Sequence, residues 1–156
     1  MKKISEILKE LGKDGMFSTD KNRDRKYGHC YGKVYDYLFR LFDKDAKIDI
    51  IEIGVEHGAS ILAWRKFFPN ANITGVDIKD KVKEKIPGVE YVICNIKDYK
   101  PEKKFDIAID DGSHKLPDVL RTVQNIKLKV GGIMIIEDVQ RADYWLKHIR
   151  SVVKNR

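Results

Sequence analysis

The sequence predicts an α/β fold, a Rossmann-like doubly wound parallel sheet of about five strands with helices on both faces. Three observations predict it. The stretch 48–60, Ile-Asp-Ile-Ile-Glu-Ile-Gly-Val-Glu-His-Gly-Ala-Ser, passes from a near-continuous apolar segment through two glycines into a helical pattern. That is the form of a strand buried on both faces, followed by a turn that a ligand can approach. Strand-like and helix-like segments then alternate down the chain, which favours parallel pairing through right-handed crossovers. Finally, acidic residues close one strand after another. In such sheets ligands gather beyond the carboxyl ends of the strands, near the point where strand order reverses.

The elements follow in order. Ile4, Ile7, Leu8 and Leu11 form one helical stripe, which Gly12 ends. Residues 17–28 are polar, charged and aperiodic, and read as a loop. Val34, Tyr37, Leu38, Leu41 and Phe42 restore helical spacing, so a second helix packs against the sheet ahead of its first strand. Gly54 and Gly58 let backbone and ligand come close, because neither carries a Cβ. The helix over 61–68 offers free N–H groups at its start, suited to an anion. Residues 71–77 read as the second strand, 79–85 as a short helix, and 89–94 as the third strand, entered through Pro87-Gly88. Residues 105–110 are the fourth strand. Leu116, Val119, Leu120, Val123 and Ile126 mark a helix with Pro117 near its first position, broken by Gly131-Gly132. Residues 133–136 are the fifth strand. Ala142, Trp145, Leu146, Ile149, Val152 and Val153 are the apolar stripe of a last helix.

At 156 residues the chain reads as a single domain. Residues 1–45 supply helices and a loop, 48–140 the sheet core, and 141–156 the terminal helix. No stretch is long and apolar enough to span a bilayer, and the N-terminal Met-Lys-Lys-Ile-Ser-Glu has no apolar run behind it. Cys30 and Cys94 form no metal-type pair by spacing. A reduced, cytoplasmic protein without membrane attachment is the expectation. The net charge of +7 permits an acidic partner such as RNA, a nucleotide sugar or an anionic glycan. The lysines are dispersed rather than massed, which also describes an ordinary solvated surface.

The strand ends carry the chemistry. Asp77 closes the second strand, where a carboxylate can accept both ribose hydroxyls of an adenosine. Asn95 follows the third, either as an adenine-reading amide or as a turn residue. Asp110, Asp111 and His114 follow the fourth, and Glu137 and Asp138 the fifth. Unpaired carboxylates that close repel one another, and a divalent cation relieves the repulsion. All-oxygen ligands suit Mg²⁺ or another hard divalent cation.

The set Glu52-Ile-Gly54-x-x-x-Gly58-x-Ser60, Gly75-Val-Asp-Ile, Ile109-Asp-Asp-Gly-Ser-His and Gly131-Gly-Ile-Met-Ile-Ile-Glu-Asp resembles the class I S-adenosylmethionine (SAM) methyltransferases. It is most similar to their metal-dependent sugar O-methyltransferase branch, which acts on macrolide and tetracenomycin glycosides, with cephalosporin-hydroxylase-like relatives. Thr19-Asp-Lys21 and His29-x-Tyr31-x-x-x-Tyr35 extend the likeness upstream. The resemblance implies that Glu52, Gly54, Gly58 and Ser60 form the loop that holds the methionine end of SAM. It implies that Asp111, Glu137 and Asp138 hold Mg²⁺, that His114 is the general base, and that Asp110 lies nearer SAM. Lys21 and Tyr31 would close over the cofactor. His29, His57 and His148 lack comparable company.

The chain departs from that family in lacking the last two strands of the usual methyltransferase sheet. Homo-oligomerisation, or another chain completing the acceptor wall, is the corresponding expectation. The leading functional expectation is a SAM- and metal-dependent O-methyltransferase acting on a sugar hydroxyl of a glycan or small glycoside. The alternatives are an RNA ribose 2′-O-methyltransferase, since nucleic acid is not excluded, and a SAM-binding scaffold subunit without turnover.

Overall fold

The computed structural model describes residues 2–12, 19–21 and 29–154. The expected loop over 17–28 lies outside the described residues except for 19–21. Strands β1 (Asp49–Ile53), β2 (Asn72–Asp77), β3 (Val89–Ile93), β4 (Lys104–Asp110) and β5 (Lys127–Ile136) form one sheet in the order β3-β2-β1-β4-β5. Every neighbouring pair is parallel, as the alternation of elements predicts. All carboxyl ends therefore share one edge, and strand order reverses between β1 and β4. The ladder continues past the strands. Gly54 N–H donates to Val76 O, Cys94 N–H to Asp77 O, Asp111 N–H to Ile53 O and Glu137 N–H to Asp110 O, each at 2.9 Å. These bonds hold the strand tips side by side.

Side chains alternate across the sheet with a period of two. Ile50, Ile73, Ile107 and Ile109 share a core with α1 (Ile4–Leu11), α2 (Gly32–Phe39) and α3 (Ala59–Phe67). Ile51, Ile53, Val76 and Ala108 face the other layer, with Ile96, Phe105 and Ile126. There α4 (Leu116–Asn125) and α5 (Ala142–Lys154) meet around Val119, Val123 and Trp145. Each fully buried isoleucine contributes about 1.5–3 kcal/mol of apolar transfer. Among the described residues no helix is long and apolar enough to cross a membrane.

Four local expectations need correction. On α2 the large buried side chains are Tyr35 and Phe39, whereas Val34 and Tyr37, and Leu41 just beyond the helix, are exposed. Tyr35 and Phe39 join Trp64, Phe67 and Phe68 in an aromatic cluster with ring centroids 4.8–5.8 Å apart. Such pairs add about 0.5–1.5 kcal/mol each beyond area burial, so they set the helix's rotation. On α5 only Trp145 is fully buried, and Leu146 and Val153 are about half exposed. Residues 79–85 form no helix: Asp77 Oδ1 accepts the Lys79 N–H at 3.0 Å and turns the chain, while Val82 and Ile86 bury separately.

The fourth correction concerns β5. Gly131-Gly132 lies inside this strand rather than ending α4, which stops at Asn125. Ile126 leaves the helix and is fully buried. While β4 advances from Phe105 to Ile107, its partner advances from Leu128 to Ile133, so β5 bulges. A Cβ on Gly132 would stand 2.9 Å from Phe105 O. Lys129, inside the bulge, donates to Asp49 and Asp106 at 2.7 Å each.

Gly54 is where backbone freedom matters most. Its φ is +87°, and a Cβ there would lie 2.1 Å from the Asp111 carbonyl oxygen. No flexible side-chain end can yield, because the obstacle is the Asp111–Gly112 backbone just past β4. Gly54→Ala is expected to destabilise the fold by about 3 kcal/mol or more, through strain and enforced separation of the β1 and β4 tips. Urea unfolding of both proteins checks this.

Candidate active site

A cavity of about 490 Å³ opens at the carboxyl edge of the sheet. Of the residues expected at the site, Lys21, Gly54, Ser60, Asp77, Asn95, Asp110, Asp111, His114 and Asp138 line it. Gly58 sits just behind, as the left-handed N-cap of α3 (φ +85°). No side chain caps that helix, and its first residues, Ala59 and Ser60, line the cavity. This leaves an uncapped helix start at the cavity wall.

Asp77 fixes the glycine turn. Its Oδ2 accepts N–H groups from Val55 and Glu56, each at 2.9 Å. Asn95 Oδ1 accepts the Lys97 N–H at 3.0 Å, the turn arrangement left open by the sequence. Asp110 is buried. Its Oδ1 accepts the Gly112 N–H at 3.2 Å, and its Oδ2 has no hydrogen-bond partner among the described residues. Burial raises its carboxyl pKa. An unsatisfied buried acceptor on a residue of the cavity wall favours a donor brought by a ligand.

Asp111, His114 and Asp138 converge: one potential ligand atom from each lies within 4.8 Å of the others. His114 Nε2 is 3.6 Å from Asp138 Oδ2. Both His114 (φ +54°) and Asp138 (φ +53°) adopt left-handed backbone conformations. Side chains rarely adopt this region except where surrounding structure enforces it, often at functional sites. Tyr31 OH donates to Asp138 Oδ1 at 2.5 Å, and His29 Nε2 stands 3.3 Å from the same oxygen. His29 stacks on Tyr31 at 4.8 Å, so it has company here that the sequence reading denied it.

Glu137 is not a member of that trio. It is buried, accepts from Lys21 Nζ at 2.8 Å, and is hydrogen-bonded by Tyr35 OH. Lys21 also bonds Asp111 and approaches Glu52 Oε1 at 3.8 Å. Burial alone would lower the pKa of this ammonium. The carboxylates of Glu52, Glu137 and Asp111 outweigh that and hold it above the ordinary lysine range. Burial likewise raises the pKa values of Asp111 and Glu137, with Lys21 opposing.

Glu52 departs from the expectation that it contacts cofactor. It is fully buried and lies outside the cavity lining. Its Oε2 accepts from Ser60 Oγ and Trp64 Nε1, each at 2.9 Å. The reason is strand alternation: Glu52 shares the face of Ile50, beneath α3. Its role is to brace the glycine turn against the helix. Burial lifts its pKa to about 8, Lys21 opposing and Asp111 and Glu137 adding. The folded chain thus binds this proton more tightly than the unfolded one, whose glutamate titrates near 4.5. The resulting stability is complete below that value and is lost as pH rises through about 8. Glu52→Gln is expected to flatten the decline in melting temperature between about pH 5 and about pH 9, as a series of thermal melts would register.

Tyr35 and Trp64 had no assigned role in the sequence reading. The signal for Tyr35 was its spacing from Tyr31: residues four apart stack along one helix face. Both hydroxyls accordingly reach the tip of β5.

No family model matches the sequence. Among curated proteins, the chain is 31% identical over 137 residues to 8-demethyl-8-alpha-L-rhamnosyl tetracenomycin-C 2'-O-methyltransferase of Streptomyces olivaceus, covering 77% of this chain and 36% of that protein. It is 32% identical over 141 residues to mycinamicin VI 2''-O-methyltransferase of Micromonospora griseorubida, covering 77% of this chain and 34% of the relative. The chain thus spans roughly a third of the length of these relatives. Among solved structures, the MycE methyltransferase from the mycinamycin biosynthetic pathway, in complex with Mg, SAH and mycinamycin VI, superposes with a TM-score of 0.71. That match has 27% identity and covers 88% of this chain and 39% of MycE. A second MycE structure, with Mg and SAH, gives a TM-score of 0.73 at 27% identity over 94% of this chain and 42% of MycE.

Fold and sequence together make this a chain of the class I SAM-dependent methyltransferase type. Within that class it is related to the macrolide and tetracenomycin sugar O-methyltransferases, MycE among them.

Proposed function

We propose that the chain binds SAM in the carboxyl-edge cavity and, with a divalent cation, directs methyl transfer to a sugar hydroxyl of a glycan or glycoside. The observation that carries this reading is the convergence of Asp111, His114 and Asp138 within 4.8 Å at the cavity wall. Two carboxylates beside a cavity with an unsatisfied buried acceptor, Asp110 Oδ2, fit a hard cation next to a cationic cofactor. Asp111 and Asp138 would hold Mg²⁺ or a similar ion, with Glu137 completing an all-oxygen set. Bound there, the ion supplies positive charge that lowers the pKa of a nearby hydroxyl. SAM supplies a methyl group activated by its sulfonium.

The remaining work falls to the chain's own residues. The uncapped start of α3, with Ala59 and Ser60 at the cavity wall, takes the methionine end of the cofactor. Asp110 accepts from its ammonium. Asp77 stands beside the turn as the ribose acceptor through the Oδ1 capacity that the Lys79 amide leaves open, Oδ2 being taken by the Val55 and Glu56 amides. Asn95 and the neighbouring Ile96 wall the adenine end. Tyr31 and His29 hold Asp138 in place. His114 Nε2 takes the hydroxyl proton as the sugar oxygen bonds to the methyl carbon, with the bonding pair leaving on sulfur. In-line placement of oxygen, carbon and sulfur supplies the rest of the acceleration.

Calorimetric titration with S-adenosylhomocysteine, with and without EDTA, together with methyl transfer from SAM to a panel of rhamnosides and other glycosides, tests the reading. Binding of the cofactor product and Mg²⁺-dependent methylation of a glycoside are the expected results. Absence of both sinks it.

A further inference from the structure

Lys21 is the most deeply buried cation among the described residues, its side chain 3% exposed, and it stands among three carboxylates. Its Nζ bonds Glu137 Oε1 at 2.8 Å, bonds Asp111 Oδ2, and lies 3.8 Å from Glu52 Oε1. Two of these three, Asp111 and Glu137, come from the tips of adjacent strands and belong to the ion-holding set of the reading above, on which this inference rests. We propose that Lys21 is a tethered stand-in cation: it occupies the carboxylate cluster until a divalent ion arrives, and the seated ammonium and the bound ion exclude one another.

The geometry supports exclusion. An ion bridging Asp111 and Glu137 needs their oxygens at about 2.1 Å. Lys21 Nζ already fills the space between those two carboxylates. A lone ammonium balances only one of the two carboxylates it bonds, Asp111 and Glu137, so the cluster keeps an affinity for a doubly charged ion. Seating of Lys21 also accounts for the composition of the converging trio. With Glu137 drawn to Lys21 and Tyr35, the oxygens left close together are those of Asp111 and Asp138. The backbone of Lys21 is anchored independently of its ammonium. Lys21 O accepts the Tyr31 N–H at 2.9 Å, and Lys21 N–H donates to Thr19 Oγ1 at 3.3 Å. Its release would therefore leave Tyr31 on Asp138 and move charge alone.

The test uses Mn²⁺ on the full chain, without SAM or acceptor. Acetylation of lysines by an amine-reactive ester is followed residue by residue by mass spectrometry, with exposed Lys147 as the control. Lys21 is expected to be protected in EDTA and acetylated about tenfold faster at saturating Mn²⁺, Lys147 being unchanged. Manganese titrations followed by electron paramagnetic resonance should show Lys21→Met binding the ion about tenfold more tightly than the unmodified chain. If that variant fails to fold, the acetylation result decides alone. Mn²⁺ binding with Lys21 still protected would overturn the exclusion while leaving the metal reading intact, as would equal or weaker binding by Lys21→Met. No Mn²⁺ binding by either protein would overturn both.

Discussion

Asp138→Asn is expected to reduce methyl transfer by about a thousandfold or more while leaving the fold intact. The asparagine keeps the volume of the side chain and an oxygen that can still accept from Tyr31 OH, now bonded at 2.5 Å. What it loses is the charge that makes Asp138 a partner for a cation. A bound metal contributes several kcal/mol of transition-state stabilisation, and each 1.36 kcal/mol is about a factor of ten in rate. Initial rates at saturating SAM, paired with Mn²⁺ binding and a thermal melt, separate the outcomes. A variant with lost ion binding, lost turnover and a near-normal melt is expected. Full turnover by Asp138→Asn would remove this residue from the chemistry.

His114→Ala carries the second large effect, and its pattern differs. A positioned general base contributes about 10²–10⁴-fold, so turnover should fall within that range. Because the role assigned to His114 is proton removal, Mn²⁺ and S-adenosylhomocysteine affinities should stay near those of the parent chain. Its ring also lies within the converging trio, 3.6 Å from Asp138. A loss of Mn²⁺ affinity in His114→Ala would therefore reassign it as a ligand. Titrations of both ligands alongside single-turnover rates distinguish the two roles.

Much of this architecture was legible because it is written in local patterns. The apolar run before Gly54, the recurring strand segments and the acids behind them follow from period-two burial and from the position of ligands at strand ends. That Asp110, Asp111, His114, Glu137 and Asp138 share one region was legible because parallel strands must bring their tips to one edge. Features set by distant partners were not. The rotation of α2 depends on Trp64, Phe67 and Phe68, far along the chain. The start of β5 depends on its bulged register with β4, which makes a glycine pair look like a helix stop. His29 owes its place to stacking on Tyr31 and to an aspartate more than a hundred residues away.

Glu52 is the more instructive case, since its orientation was readable and was overridden by the motif. Strand alternation puts it on the face of Ile50 and Trp64, beneath α3, and there it is found. The likeness assigns Glu52 to the ligand, whereas its carboxylate braces Ser60 and Trp64 of the scaffold. Glu137 teaches the same lesson across the sheet. Its place in the chain sets it beside Asp138, but Tyr35 and Lys21 decide which way its carboxylate is drawn.

The most direct test is crystallographic: crystals soaked in S-adenosylhomocysteine and Mn²⁺, with anomalous differences collected at the manganese edge. The expected map has one anomalous peak in contact with the Asp111 and Asp138 carboxylates, beside a thioether sulfur in the cavity walled by Gly54 and Asp110. A well-bound S-adenosylhomocysteine with no manganese at those carboxylates, or with both acids turned to solvent, would contradict the metal-assisted reading at its base.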